Sequence, residues 1–234
     1  MATRRIIKDK DFGQIVIGTR RTARNITMRV RPDGLHVTVP PYSKTEKVMA
    51  TLETFRERLL EQYRKVEIRP IDFSYAIRTA CFRLWLEPSP LKCFTLKQTG
   101  EGICICCPAD VDFSCEQVQK LVRAAILRAL KKSAGSYLPP LLEALAERYG
   151  FSYRKVKITG ARSRWGSCSA AGTISLSCYL MLLPPHLMDY VLLHELSHTK
   201  EMNHGPRFWE LLDSLTEGKV LSLRAELRNY RPAF

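Results

Sequence analysis

His194-Glu195-Leu196-Ser197-His198, with His204 six residues beyond, sets three imidazoles and a carboxylate close together in the chain. On a helix, histidines four apart project from one face, one turn above the other. Their ring nitrogens can then meet a single zinc ion at about 2.0–2.1 Å. Glu195 follows the first histidine and points toward the same cleft, where it can act on a water at the metal instead of binding the metal. His204 is the candidate third ligand, which leaves a fourth position open. Three protein ligands and one open position are the pattern of a catalytic Zn2+, whereas structural sites are closed.

Local elements must present these groups. Tyr190-Val191-Leu192-Leu193 run into the motif without a helix breaker. Pro184-Pro185 suits a helix start, because proline is tolerated in the first turn and rarely later. His204 lies about 600° of helical rotation beyond His198, so the helix has to stop first. Asn203 is the residue expected to take the left-handed conformation of that stop, with Gly205-Pro206 following. A second helix is predicted from Pro206 to near Gly218, with Phe208, Trp209, Leu212 and Leu215 on one apolar stripe. The rival third ligands are Glu201, Glu210 and Asp213.

Arg164-Trp165-Gly166-Ser167-Cys168, Gly172-Thr173-Ile174, Asp189-Tyr190-Val191 before the HELSH string, Asn203-His204 and Phe208-Trp209 together resemble the YgjP-like metallopeptidases. That group is similar to the SprT-like zinc proteases in its HExxH string and its later His-Gly backed by an aromatic. The match is strongest from Arg162 to Trp209, with a weaker one over the Arg-rich segment Arg20 to Val39. The resemblance implies His194, His198 and His204 as metal ligands, Glu195 as general base, and peptide or protein substrates. Ser197 stands where relatives often carry cysteine, and Gly205 where serine is common. Metzincin peptidases share the gap between second and third histidines but need a glycine inside it. Glu201 occupies that position here, so metzincin is set aside.

The whole chain bounds these readings. Its 234 residues are 45% hydrophobic and 26% charged, an ordinary globular composition. No apolar run approaches the roughly 20 residues of a membrane helix, and Met1 to Phe12 lacks the apolar core of a secretory signal. The expectation is a cytoplasmic protein with its eight cysteines reduced. Cys104, Cys106 and Cys107 alternate like strand residues and lack the CxxC pairs of a zinc ribbon. Cys168 lies near the motif and is a candidate redox-sensitive thiol.

An internal repeat suggests the fold. Ile26–Val30, Gly34, Leu35–Val39 and Pro40 line up with Phe94–Gln98, Gly102, Ile103–Cys107 and Pro108. Each reads as strand, glycine turn, strand and terminating proline. A helical stretch follows each, Glu46 to Lys65 and Cys115 to Lys132. Trp165 to Leu180 is a looser third echo. The predicted class is α+β: repeated β-hairpin-plus-helix units leading into a zincin-like metallopeptidase domain with an HExxH active-site helix. The breakers between Lys132 and Pro140 place the boundary between an N-terminal region, 1–135, and a metallopeptidase domain, 136–234.

The formal charge of +14 points to acidic partners. Arg29 and Arg31 share a strand face, and Arg20, Arg21, Arg24, Arg162 and Arg164 can extend a basic surface that holds nucleic acid non-specifically. The alternative function is therefore a basic nucleic-acid-associated binding protein with a structural or vestigial metal site. Glu195 argues against it, because a structural site has no use for that carboxylate. Arg207, Tyr179, Tyr190 and Asn203 are the oxyanion donors near in sequence. Trp165 and Trp209 read as core packing, and the Arg164–Trp165 hairpin as a strand whose open edge could pair with an extended peptide.

Overall fold

The computed structural model describes residues 4–31, 34–65 and 70–230. It is a mixed α+β protein with three small sheets and five helices among those residues. The chain divides into two compact units, Met1–Arg69 and Pro70–Phe234. Part of the N-terminal stretch considered for a secretory signal, Met1 to Thr3, lies outside the described residues.

In the first unit, β1 (Arg4–Asp9), β2 (Gly13–Thr19), β3 (Thr27–Arg31) and β4 (Gly34–Val39) form a sheet in the order β1-β2-β4-β3. The β2–β4 pair is parallel and the outer pairs are antiparallel. Period-two alternation puts Ile15 and Ile17 of β2 beside Leu35 and Val37 of β4 on one face. The helix α1 (Thr45–Lys65) supplies Val48, Leu52 and Leu59 to the same core. Arg56, also on α1, reaches Asp9 (2.8 Å), Asp11 (2.6 Å) and Glu53 (2.9 Å).

The second unit begins with β5 (Ala76–Arg78), β6 (Arg83–Ser89), β7 (Thr95–Thr99) and β8 (Gly102–Pro108), in the order β5-β6-β8-β7. Its pairings repeat the antiparallel, parallel, antiparallel sequence of the first sheet. Cys104 and Cys107 are buried on β8, where burial pushes their thiols up to about 12 and about 11. They fill space in the strand. The third sheet has β9 (Lys155–Thr159), β10 (Gly166–Cys168) and β11 (Thr173–Ser177). There β9 is parallel and β10 antiparallel to the central β11.

The helix α2 (Glu116–Tyr149) runs unbroken through the Lys132–Pro140 stretch where the sequence suggested a boundary. The compact units instead divide between Arg69 and Pro70. The reason is visible in the buried residues Val122, Ile126, Leu130, Ala134, Leu138, Leu142 and Ala146. They recur every four residues, so one continuous stripe is buried across Pro139-Pro140 and outweighs the local breakers. Gly150 ends α2 in the left-handed conformation (φ 64°), and Phe151 N–H caps the Ala146 carbonyl at 2.8 Å.

After β11 come a 3₁₀ turn (Cys178–Leu182) and the helices α3 (Pro185–Ser197), α4 (Pro206–Leu215) and α5 (Val220–Leu227). Leu187, Leu192, Leu196, Phe208 and Leu212 join the α2 stripe and both sheets of this unit in one core. α5 had no clear sequence signal. Among the described residues no helix is long and apolar enough to cross a membrane.

Candidate metal centre

The helix α3 is buried on almost every side: Leu187, Met188, Tyr190, Val191, Leu192, Leu193, Glu195, Leu196 and Ser197 are all withdrawn from solvent. A helix apolar all round belongs in a protein interior. His194 and His198 lie one turn apart near its end, with ring centroids 4.9 Å apart. The helix stops at Ser197, through turn bonds from Thr199 N–H to the Leu196 carbonyl (2.9 Å) and from Glu201 N–H to the Ser197 carbonyl (2.9 Å). Asn203 does not take the left-handed conformation expected of it; tight turns do the work instead, including Gly205 N–H to the Asn203 carbonyl at 2.8 Å.

That turn returns His204 to α3. His204 Nε2 lies 3.1 Å from His194 Nε2. One ligand nitrogen from each of His194, His198 and His204 lies within 4.8 Å of the others. Two nitrogens on one tetrahedral zinc, each at about 2.0–2.1 Å, would stand about 3.3 Å apart, so the spacing suits such an ion. Glu201, Glu210 and Asp213 are not part of the cluster. His198 Nδ1 lies 3.1 Å from the Glu201 carbonyl. A carbonyl only accepts, so Nδ1 carries the proton and the Nε2 lone pair is free.

Aromatic rings hold the histidines. Phe208, fully buried on α4, stacks on His198 at 4.5 Å and meets His194 (4.9 Å) and His204 (4.7 Å) edge-on. Trp209 stacks on His204 at 5.5 Å, and its Nε1–H donates to the His204 carbonyl at 3.0 Å. The Arg224 guanidinium lies 4.9 Å over the Trp209 ring. Trp209 packs partly against the core, as expected, but also anchors the loop histidine. Burial, then the neighbouring histidines and Arg224, hold the His194 imidazole down to about 3. His204 is lowered by burial, then by His198 and Arg224.

Glu195 is 5% exposed, and its Oε2 is buried with no hydrogen-bond partner. Burial pushes the carboxyl up to about 7, opposed by the charge of Arg164. The half-buried Cys168 on β10 is kept as a thiol by burial and by the Glu195 charge, so it lacks the thiolate character of a reactive cysteine. Of the suggested oxyanion donors, Tyr179 and Tyr190 are buried. The cations that act electrostatically on the site are Arg164 and Arg224. Arg224 was missed, because nothing near it in sequence marks it.

The YgjP-like metallopeptidase domain model matches residues 24–230. The chain belongs to the YgjP-like family. It is also similar to the metallopeptidase zymogen of Pyrococcus abyssi abylysin, at 25% identity over 38% of this chain and 90% of that one, with a TM-score of 0.36. No curated protein matches it. Membership of the YgjP-like family implies a metal ion and peptide or protein substrates, and the three-histidine cluster supplies a donor set for the ion.

Proposed function

We propose that this YgjP-like chain is a zinc-dependent peptidase of the zincin kind, akin to SprT-like proteases, whose general base is Glu195. The observation that carries this reading is the convergence of three imidazole nitrogens, two of them flanking in sequence a Glu195 whose buried Oε2 has no hydrogen-bond partner. His194, His198 and His204 are the ligands in this reading, and all site residues fall within the second compact unit, Pro70–Phe234. When bound, zinc would acidify a water and polarise the scissile carbonyl.

The chain's own groups do the rest. Glu195 Oε2 has no competing donor, so it is free to take a proton from water and return it to the leaving amine. Arg164 and Arg224, which act electrostatically on Glu195 and His194, are candidates to offset negative charge developing on the substrate. β10 pairs only with β11 and forms one end of its sheet, so an extended peptide can add along its other edge. We read the three sheets, each followed by a helix, as copies of one hairpin-plus-helix unit. Eight free cysteines suit a reducing compartment such as the cytoplasm.

The test is metal content by elemental analysis, alongside hydrolysis of a quenched casein substrate, for wild type and for His194→Ala, His204→Ala and Glu195→Gln. About one zinc per wild-type chain, lost in both histidine variants, is expected. Zinc kept in full by His204→Ala removes that residue from the ligand set. Full hydrolysis by zinc-loaded Glu195→Gln overturns the base assignment.

A further inference from the structure

Glu195 Oε2 is buried without a hydrogen bond to fix its direction, yet a general base has to be aimed. What lies against it is the bare backbone of Gly166 on β10. A Cβ placed on Gly166 would stand 2.5 Å from Glu195 Oε1, 2.6 Å from its Cγ and 2.7 Å from its Cδ. Ordinary carbon contacts are about 3.5–4.0 Å, so one methyl group would overlap the acid by about an ångström. Three successive atoms are involved. The Glu195 side chain therefore lies lengthwise across the glycine.

Backbone conformation does not explain this glycine. Its φ is outside the left-handed range that penalises other residues. It sits in regular register opposite Leu176, which is fully buried, and the adjacent Trp165 carbonyl accepts Ser177 N–H at 2.8 Å. The strand wall is thus fixed from behind. Gly166 is required for space, and the occupant of that space is Glu195.

We propose that Gly166 is a positioning residue, forming a slot in β10 that aims the Glu195 carboxylate by shape instead of by hydrogen bonding. The chemical advantage is specific. A donor that oriented the carboxylate would also stabilise its charged form and weaken it as a base. A steric slot restricts the side chain from the Oε1 side and leaves Oε2 without a competing donor. The inference rests on Glu195 being the base, but part of its test does not.

The experiment is a double-mutant cycle on zinc-loaded full chain, with Gly166→Ala in wild-type and Glu195→Ala backgrounds, read by melting temperature, zinc content and steady-state kinetics. In the wild-type background, Gly166→Ala is expected to lower the melting temperature by roughly 3–8 °C, as overpacking does. It keeps about one zinc per chain, and kcat falls roughly 10–100-fold with KM little changed. In the Glu195→Ala background, where Cγ and the carboxylate are gone, the same substitution lowers melting by less than a third as much. An equal loss in both backgrounds overturns the slot, as does unchanged kcat in Gly166→Ala. Should Gly166→Ala fail to fold, the Gly166→Ala/Glu195→Ala chain is expected to fold, and its failure also overturns the slot. A full-activity Glu195→Gln variant would instead sink the base assignment, leaving the melting cycle to stand or fall alone.

Discussion

Asp9 at the end of β1 and Glu195 on α3 are both carboxylates withdrawn from water, with 9% of the Asp9 side chain and 5% of Glu195 exposed. Asp9 meets the Arg56 guanidinium at 2.8 Å and accepts the backbone N–H groups of Asp11 (3.0 Å) and Phe12 (3.1 Å). The arginine holds its carboxyl down to about 2. Glu195 has an orphaned oxygen and is pushed up to about 7. Glu195 is the more deeply buried of the two, and partnership separates them further. A buried charge that is fully paired serves structure, whereas one left unpaired is a cost that a stable fold has no reason to keep. We read that difference as support for placing the proposed chemistry in the second unit.

The sharpest way to break the contrast is to neutralise the unpaired acid. Glu195→Gln is expected to cut kcat about 10²–10⁴-fold while zinc stays bound and the melting temperature holds or rises. A marked loss of stability would show that Glu195 is structural after all. Arg56→Ala should do the opposite, destabilising the first unit by about 1–2 kcal/mol in urea denaturation, because it removes the cation paired with the part-buried Asp9. A loss under about 0.5 kcal/mol would place the Arg56 cluster among ordinary surface pairs.

Acid titration sharpens the comparison further. Asp9 has a folded value below its unfolded one, so its contribution is present above about pH 4 and is lost as pH falls toward 2. Wild type should exceed Asp9→Asn in stability by about 1–2 kcal/mol at pH 6, after allowance for solvent screening, and the two should converge by about pH 2. A gap that persists unchanged at pH 2 would exclude the ion pair as its source. The smallest effect concerns the loop ligand. Trp209→Phe keeps a ring against His204 but loses the 3.0 Å bond to its carbonyl. Zinc affinity measured against a competing chelator should weaken about 5–10-fold, the value of one hydrogen bond.

What the sequence made legible was whatever local geometry determines. His194 and His198 had to share a face, and Pro206 had to open a helix, because helical rotation and proline stereochemistry depend on near neighbours. Phe208 and Leu212 followed from the same period. The clearance at Gly166 was invisible, although that glycine stood in the resembling segment, since its partner Glu195 lies 29 residues further on. Arg224 was invisible for the same reason. The boundary near Pro139-Pro140 was a different matter: the four-residue recurrence from Val122 to Ala146 was present in the sequence but was outweighed by two prolines read as punctuation. The +14 charge suggested nucleic acid, but neither the three-histidine site nor the family match bears on that partner.

His194 and His198 belong to a helix locked in the core, whereas His204 is exposed and comes from a short turn. In the proposed centre, one of the three ligands is therefore carried by a turn instead of by the buried helix. Local opening of the 199–205 turn would release His204 while α3 stays in place, a fluctuation far cheaper than unfolding. Exchange of the ion with its surroundings would then be governed by how often that turn opens. The chain could be emptied and refilled without losing its fold.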